Sequence, residues 1–258
     1  MQLDKSLSML LLATASLSIA CSTEAESFQH SIDASSTRSL RVDIEQGDLT
    51  LRGPGATSVV QDGDLITISG QSWGTASDVD KAAERRDGND WQVDDSRRGE
   101  LRIQASSAHP SAGVDFEVDS PRELRSEMAL YDGTLTLVGT RGSHRIEASD
   151  LALDQVGGQL ELYARSGSVH GSMLPENDDK ITIFAEYGDV SLSLPRGLEY
   201  DLVIWADPEG TVTVDDLGLQ ARVDGQPGYF AGRSGGGRIE VEIIAPEGDV
   251  SIREAWIW

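Results

Sequence analysis

The feature that most constrains this chain is a phrase it repeats: a turn of Gly with Asp, Ser, Thr or Gln, then a short strand with apolar residues at alternate positions. Between residues 133 and 170 the turns begin at Gly133, Gly142, Asp150, Gly158 and Gly167, spaced 9, 8, 8 and 9 apart, so two strands and two turns take about 17 residues. Later copies begin at Lys180, Gly188, Gly210, Arg238 and Gly248. Alternation with period two marks a strand buried on one face, and no stretch after the first twenty residues has a convincing helical period. Short strands at this spacing fit an antiparallel sandwich or a coiled β-solenoid. The uniform turn chemistry selects the second, because glycine at the same point of each repeat lets successive coils reverse alike and stack. The expected fold is therefore all-β: one single-domain β-solenoid, parallel β-helix-like, with Gly-rich turns. Its inward stripe holds Leu135, Leu137, Leu160, Leu162, Ile181, Ile183, Val190, Leu192, Val212, Val214, Ile239 and Val241.

Charge and composition then exclude whole classes of function. With 21 basic and 44 acidic residues the net charge is −23, the opposite of what phosphate neutralisation needs, so no nucleic-acid partner is expected. One cysteine rules out an internal disulfide framework and a Cys-based zinc cluster. His30, His109, His144 and His170 show no metal-ligand spacing; His144 and His170 fall in strands and read as a surface pair. No metal and no cofactor are expected.

The first residues carry an address. An apolar run from Leu7 to Ile19 is too short to span a bilayer and has the length of a secretory signal core. Leu17-Ser18-Ile19-Ala20-Cys21 resembles a bacterial lipobox, with Ser18 where Leu is usual. Residues 1–20 then form a lipoprotein signal peptide cut between Ala20 and Cys21, Cys21 carries the lipid (palmitate among its acyl chains), and residues 21–28 are a short tether. Several acyl chains give stable anchoring where one would not. Ser22 resembles an outer-membrane sorting signal, which implies an outer-membrane lipoprotein facing the periplasm or the surface.

Val114-Asp-Phe-Glu-Val-Asp-Ser-Pro-Arg-Glu-Leu, Gly133-Thr-Leu-Thr-Leu-Val-Gly, Gly188-Asp-Val-Ser-Leu-Ser-Leu-Pro195 and Asp201-Leu-Val-Ile together resemble the bacterial putative-adhesin domain of unknown function, over roughly residues 40–253. The resemblance implies a β-helix-like protein of the cell envelope, residues 29–258 being the adhesin-like domain. It brings no catalytic or binding residues with it.

Several constellations remain. Residues 78–100 form a charged insertion with 8 acidic and 5 basic residues and Trp91, read as a polar excursion with a short helix in preference to a recognition loop. Gly232-Arg-Ser-Gly-Gly236 matches the serine-hydrolase elbow in letters only, since no helix and no histidine follow Ser234. Asp150, Asp189, Asp215, Asp216 and Asp249 stand at turns, where β-helical polysaccharide lyases and hydrolases place their carboxylates, with or without calcium. Trp73, Trp91 and Trp205 are candidates for stacking on sugar, whereas Trp256 and Trp258 close the chain as a C-terminal cap over residues 254–258. The expected function is a non-enzymatic, lipid-anchored envelope protein that binds or scaffolds, with an envelope glycan or protein as ligand. A polysaccharide-active enzyme on the same scaffold is the alternative.

Overall fold

The structure is a computed structural model that describes residues 21–56, 64–121, 123–223 and 226–255. Residues 1–20, read above as a signal peptide ending at Ala20, and Trp256 and Trp258 lie outside the described residues. In chain order the elements begin with β1 (Ser22–Asp33), β2 (Ser39–Gln46), β3 (Leu49–Arg52), β4 (Leu65–Ala76), α1 (Val79–Asp87), β5 (Asn89–Asp94), β6 (Glu100–Ser107) and β7 (Ala112–Asp119). The central part holds β8 (Arg125–Asp132), β9 (Thr134–Val138), β10 (Ser143–Ala148), β11 (Asp150–Val156), β12 (Gln159–Ala164) and β13 (Val169–Met173). There follow β14 (Lys180–Ala185), β15 (Val190–Pro195), β16 (Tyr200–Ala206), β17 (Val212–Val214), β18 (Gln220–Val223), β19 (Tyr229–Arg233), β20 (Ile239–Ala245) and β21 (Val250–Ala255). No helix among them is long and apolar enough to cross a membrane.

The chain is all-β, and its strands form a ten-stranded and an eleven-stranded sheet. From β6 to β17 consecutive strands alternate between the two, so β8 then β9, β10 then β11, and so on, each make a rung with one strand in either sheet. Neighbouring rungs pair in parallel, residue for residue: Leu160 lies beside Ile181 and Leu162 beside Ile183 in one sheet, Val169 beside Val190 in the other. The alternating apolar residues of both sheets meet in one core. Ten of the twelve residues expected inside are fully buried, but Val212 and Val214 are half-buried because β17 is the edge strand of its sheet.

The rungs do not stack in the order in which they are made. Both sheets give the same sequence of rungs: β6/β7, β2/β3, β8/β9, β10/β11, β12/β13, β14/β15, β20/β21, β16/β17. Rung β20/β21 is thus inserted between two earlier ones, with Val241 beside Ile183's neighbour Ile181 on one side and Leu202 on the other. Glu254 and Ala255, expected in a terminal cap, instead pair with Leu194 and Pro195 inside the ten-stranded sheet. The cause is that every rung offers the same inward stripe and the same turn, so the pattern is indifferent to rung order.

Residues 22–28, read as a tether, are strand from Ser22 onward: β1 runs antiparallel to β4 along all twelve of its residues. The charged insertion supplies α1, whose first turn is capped by the Asp78 carboxylate on the Lys81 amide, and then β5. At this end Phe28 of β1 stacks on Trp91 of β5 at 3.9 Å and both rings approach Phe116, bridging the edges of the two sheets. Trp91 is therefore a lid on the core. Removing a half-buried ring of this size in a Trp91→Ala variant costs about 2 kcal/mol, read as a lower urea midpoint with an unchanged slope.

Candidate functional site

The five turn aspartates all accept backbone N–H groups. Asp150 holds the Ser168 amide at 2.8 Å, Asp189 the Asp249 amide at 2.8 Å, and Asp249 the Thr211 amide at 2.6 Å. Asp215 accepts from the Glu254 amide and Asp216 from that of Gly218. Two further aspartates do the same at the other end, Asp115 to the Asp48 amide and Asp48 to that of Thr134. Asp48, Asp115, Asp150, Asp189 and Asp249 form a column along one corner, each holding an amide of an adjacent rung, whereas Asp215 and Asp216 lie beyond β17, Asp215 on an amide of β21 and Asp216 on its own turn. Among the described residues no group of three or more His, Cys, Asp or Glu is placed to hold a metal ion.

Ser234 is bound from both sides. Its hydroxyl donates to the Leu198 carbonyl at 2.8 Å and accepts from the Tyr200 amide at 2.8 Å, tying the turn after β19 to the start of β16. Tyr200 is buried beside it with its hydroxyl on the Pro195 carbonyl, and burial pushes its phenol well above the ordinary value. The hydroxyl of Ser234 has a structural use for both its donor and its acceptor.

The expected surface pair of histidines is corrected. His144 lies on β10 and His170 on β13, in different sheets, and only His170 is exposed. His144 shares the parity of Ile146 and points inward, where its Nδ1 lies 2.6 Å from the Ser126 hydroxyl and its Nε2 has no partner. Desolvation pushes its pKa down to about 4. The unfolded chain binds this proton near pH 6.5 and the folded one resists it, so the stability that His144 permits is complete above pH 6.5 and falls as the pH drops toward 4. The loss is about 3 kcal/mol at ~1.36 kcal/mol per pKa unit. Urea unfolding of wild type should lose that much more stability between pH 7 and pH 4 than a His144→Leu variant does.

The outer face of the eleven-stranded sheet is open to solvent and carries the large side chains. In register across its strands stand Asp43, Ala129, Glu147, Tyr163, Phe184 and Ile244, followed by Trp205 and Tyr229. Tyr163 and Phe184 stack at 5.1 Å with planes 10° apart, and Trp205 packs on Tyr229 at 4.3 Å. Where the small Ala129 stands, the face sinks into a trough of about 530 Å³ bordered by Arg41, Glu127, Tyr131, Arg145, Glu161 and Tyr163. Arg165 lies 4.5 Å over the Tyr131 ring and pairs with Glu147, fixing both at the rim. The other face, on the ten-stranded sheet, presents in one row the short side chains Thr50, Thr136, Ala152, Ser191 and Ser251, with His170 among them. Of the tryptophans, Trp205 is half exposed at 48%, while Trp73 is held by its indole N–H on Asp115 at 3.0 Å.

Sequence reasoning missed this trough. Its signal is Glu127, Ala129 and Tyr131 alternating with the buried Ser126, Met128 and Leu130, which places one alanine where the other rungs carry large outward side chains.

No protein-family model and no curated protein matches the chain. Among solved structures, a putative cell adhesion protein from Clostridium sporogenes is similar at 15% identity, over 90% of this chain and 100% of that one, with a TM-score of 0.46. A putative adhesin from Bacteroides fragilis is 9% identical over 88% of this chain and 97% of that one, with a TM-score of 0.27. A putative lipid binding protein from Parabacteroides distasonis is 12% identical over 89% and 97%, with a TM-score of 0.23.

Proposed function

We propose that the chain is a lipid-anchored protein of the cell envelope, held in the outer membrane by acyl chains on Cys21, whose β-solenoid domain binds or scaffolds without catalysis. The observation that carries this reading is the position of Cys21. The chain has one cysteine; it is free, exposed, and stands immediately before the first residue of β1. A lipid there holds the β1–β4 edge at the membrane surface with no tether between. Such a protein needs a rigid body, and eight parallel rungs around one core supply it.

The non-catalytic part of the reading rests on the use already made of the reactive groups. The turn carboxylates hold amides and Ser234 holds two backbone groups, so these side chains serve to fasten one rung to the next. Detergent phase partitioning tests the anchor. The full-length protein should enter the detergent phase and a Cys21→Ser variant the aqueous phase; equal partitioning of the two would overturn it.

A further inference from the structure

We infer that the trough around Ala129 on the outer face of the eleven-stranded sheet is a binding site for a neutral glycan. This deepens the envelope-binding reading and rests on it. Three properties of the trough point to this class of ligand. The first is shape. A cavity of about 530 Å³ open along the sheet takes one or two sugar rings of a longer chain, whose ends leave freely on either side.

The second is the combination of surfaces. Phe184 covers one face of Tyr163, and on its other side, toward Glu147 and then Ala129, the Tyr163 ring lines the trough. A pyranose has an apolar face of C–H groups that packs on such a ring and an equatorial rim of hydroxyls. Around the ring those hydroxyls meet Glu127 and Glu161 as acceptors and Arg145 as donor. Arg145 stays largely exposed even while it pairs with Glu161 at 3.5 Å, so its remaining donors are free to turn toward a ligand. The rim is already ordered, because Arg165 bridges Tyr131 and Glu147.

The third is charge. Asp43, Glu127, Glu147 and Glu161 outnumber Arg41, Arg145 and the rim residue Arg165 by one around the trough, and the whole chain carries −23. That balance repels uronate, sulfate and phosphate polymers. A neutral chain is taken without that cost, and its hydroxyls serve carboxylate and guanidinium alike. A basic peptide would suit the net charge, but it has no planar apolar face to match Tyr163 and would compete with Arg165 for its existing partners.

The test uses the full-length protein in detergent and native affinity electrophoresis through gels containing β-glucan, xyloglucan, mannan or galactan, with polygalacturonate as the anionic control. Retardation by at least one neutral polymer and none by polygalacturonate is expected. Tyr163→Ala should weaken it at least tenfold, and Ala129→Trp, which fills the trough, should abolish it, while Trp205→Ala on the same face leaves it unchanged. No retardation by any neutral polymer, or retardation indifferent to both trough variants, would overturn the inference. If Ala129→Trp fails to fold, Tyr163→Ala alone decides. Failure here with Cys21-dependent partitioning intact leaves the envelope reading standing. Release of reducing ends from a bound polymer would uphold the site and overturn the non-catalytic reading.

Discussion

Ending the chain at Gly237 is expected to unfold more of the protein than it removes. The deletion takes away β20 and β21, with Ile239, Val241, Ile243, Val250 and Ile252 all buried. Those side chains contribute on the order of 10 kcal/mol of burial, as large as the net stability of a whole domain. Because this rung lies between β14/β15 and β16/β17, its loss opens the stack from within. Ile181, Ile183 and Leu192 on one side and Leu202 and Ile204 on the other lose their partners together. Limited trypsin digestion should therefore cut at Arg196, Arg222 and Arg233 in the truncated chain but not in the complete one. If rungs were stacked in chain order, the same deletion would shorten the stack from its end and leave these sites protected.

The second large effect is expected from one methyl group. Gly188 lies in the glycine column of the corner that the aspartates also occupy, and a Cβ there would sit 2.0 Å from the Gly167 carbonyl oxygen. Gly248 stands next in the column, with its own Cβ position 2.2 Å from the Gly188 carbonyl. The obstructing atoms are backbone in a pairing register fixed on both sides, so no side chain can turn away to relieve the contact. Gly188→Ala should cost at least about 3 kcal/mol, the upper range for overpacking. Gly197 provides the contrast: it has φ +86° but nothing within 4 Å of its Cβ position. Gly197→Ala should cost only the left-handed backbone penalty, about 1 kcal/mol. Urea midpoints of the two variants, which differ by the same methyl group, separate close approach from backbone conformation.

The strands and the inward stripe were legible because alternation is a local signal that survives without tertiary knowledge. Leu135, Leu137, Ile181 and Ile183 are inside for the reason their spacing suggests. The parity of His144 carried the same message, but a histidine in a strand invites a search for a second histidine, and the sheet to which each strand belongs is not written locally. Rung order is also illegible. Ile239-Glu-Val-Glu-Ile fits beside Ile181-Thr-Ile-Phe as well as it would fit at the end of the stack, so the choice is made by loop reach and by the edges left unpaired. The candidate site inherits that difficulty. Arg41 and Asp43 border the trough only because β2 pairs with β8 while β4 to β7, with α1 among them, build outward from its other side. A sequence can mark Ala129 as small and outward; it cannot say which rungs flank it.

The pairing of β2 with β8 builds the trough, and disulfide trapping tests it most directly. Strands that neighbour each other in a sheet lie about 4.8 Å apart, within reach of a disulfide, whereas strands two apart exceed its limit of about 7 Å between Cα atoms. Asp43 is in register with Ala129 on one side and with Gln104 on the other, so Gln104 and Ala129 are two strands apart. In a Cys21→Ser background under mild oxidation, Asp43→Cys with Ala129→Cys should form an intramolecular disulfide, and Gln104→Cys with Ala129→Cys should not. The reverse outcome, with Gln104 joined to Ala129 and Asp43 left free, would place β6 beside β8 and contradict both the rung order and the site built on it.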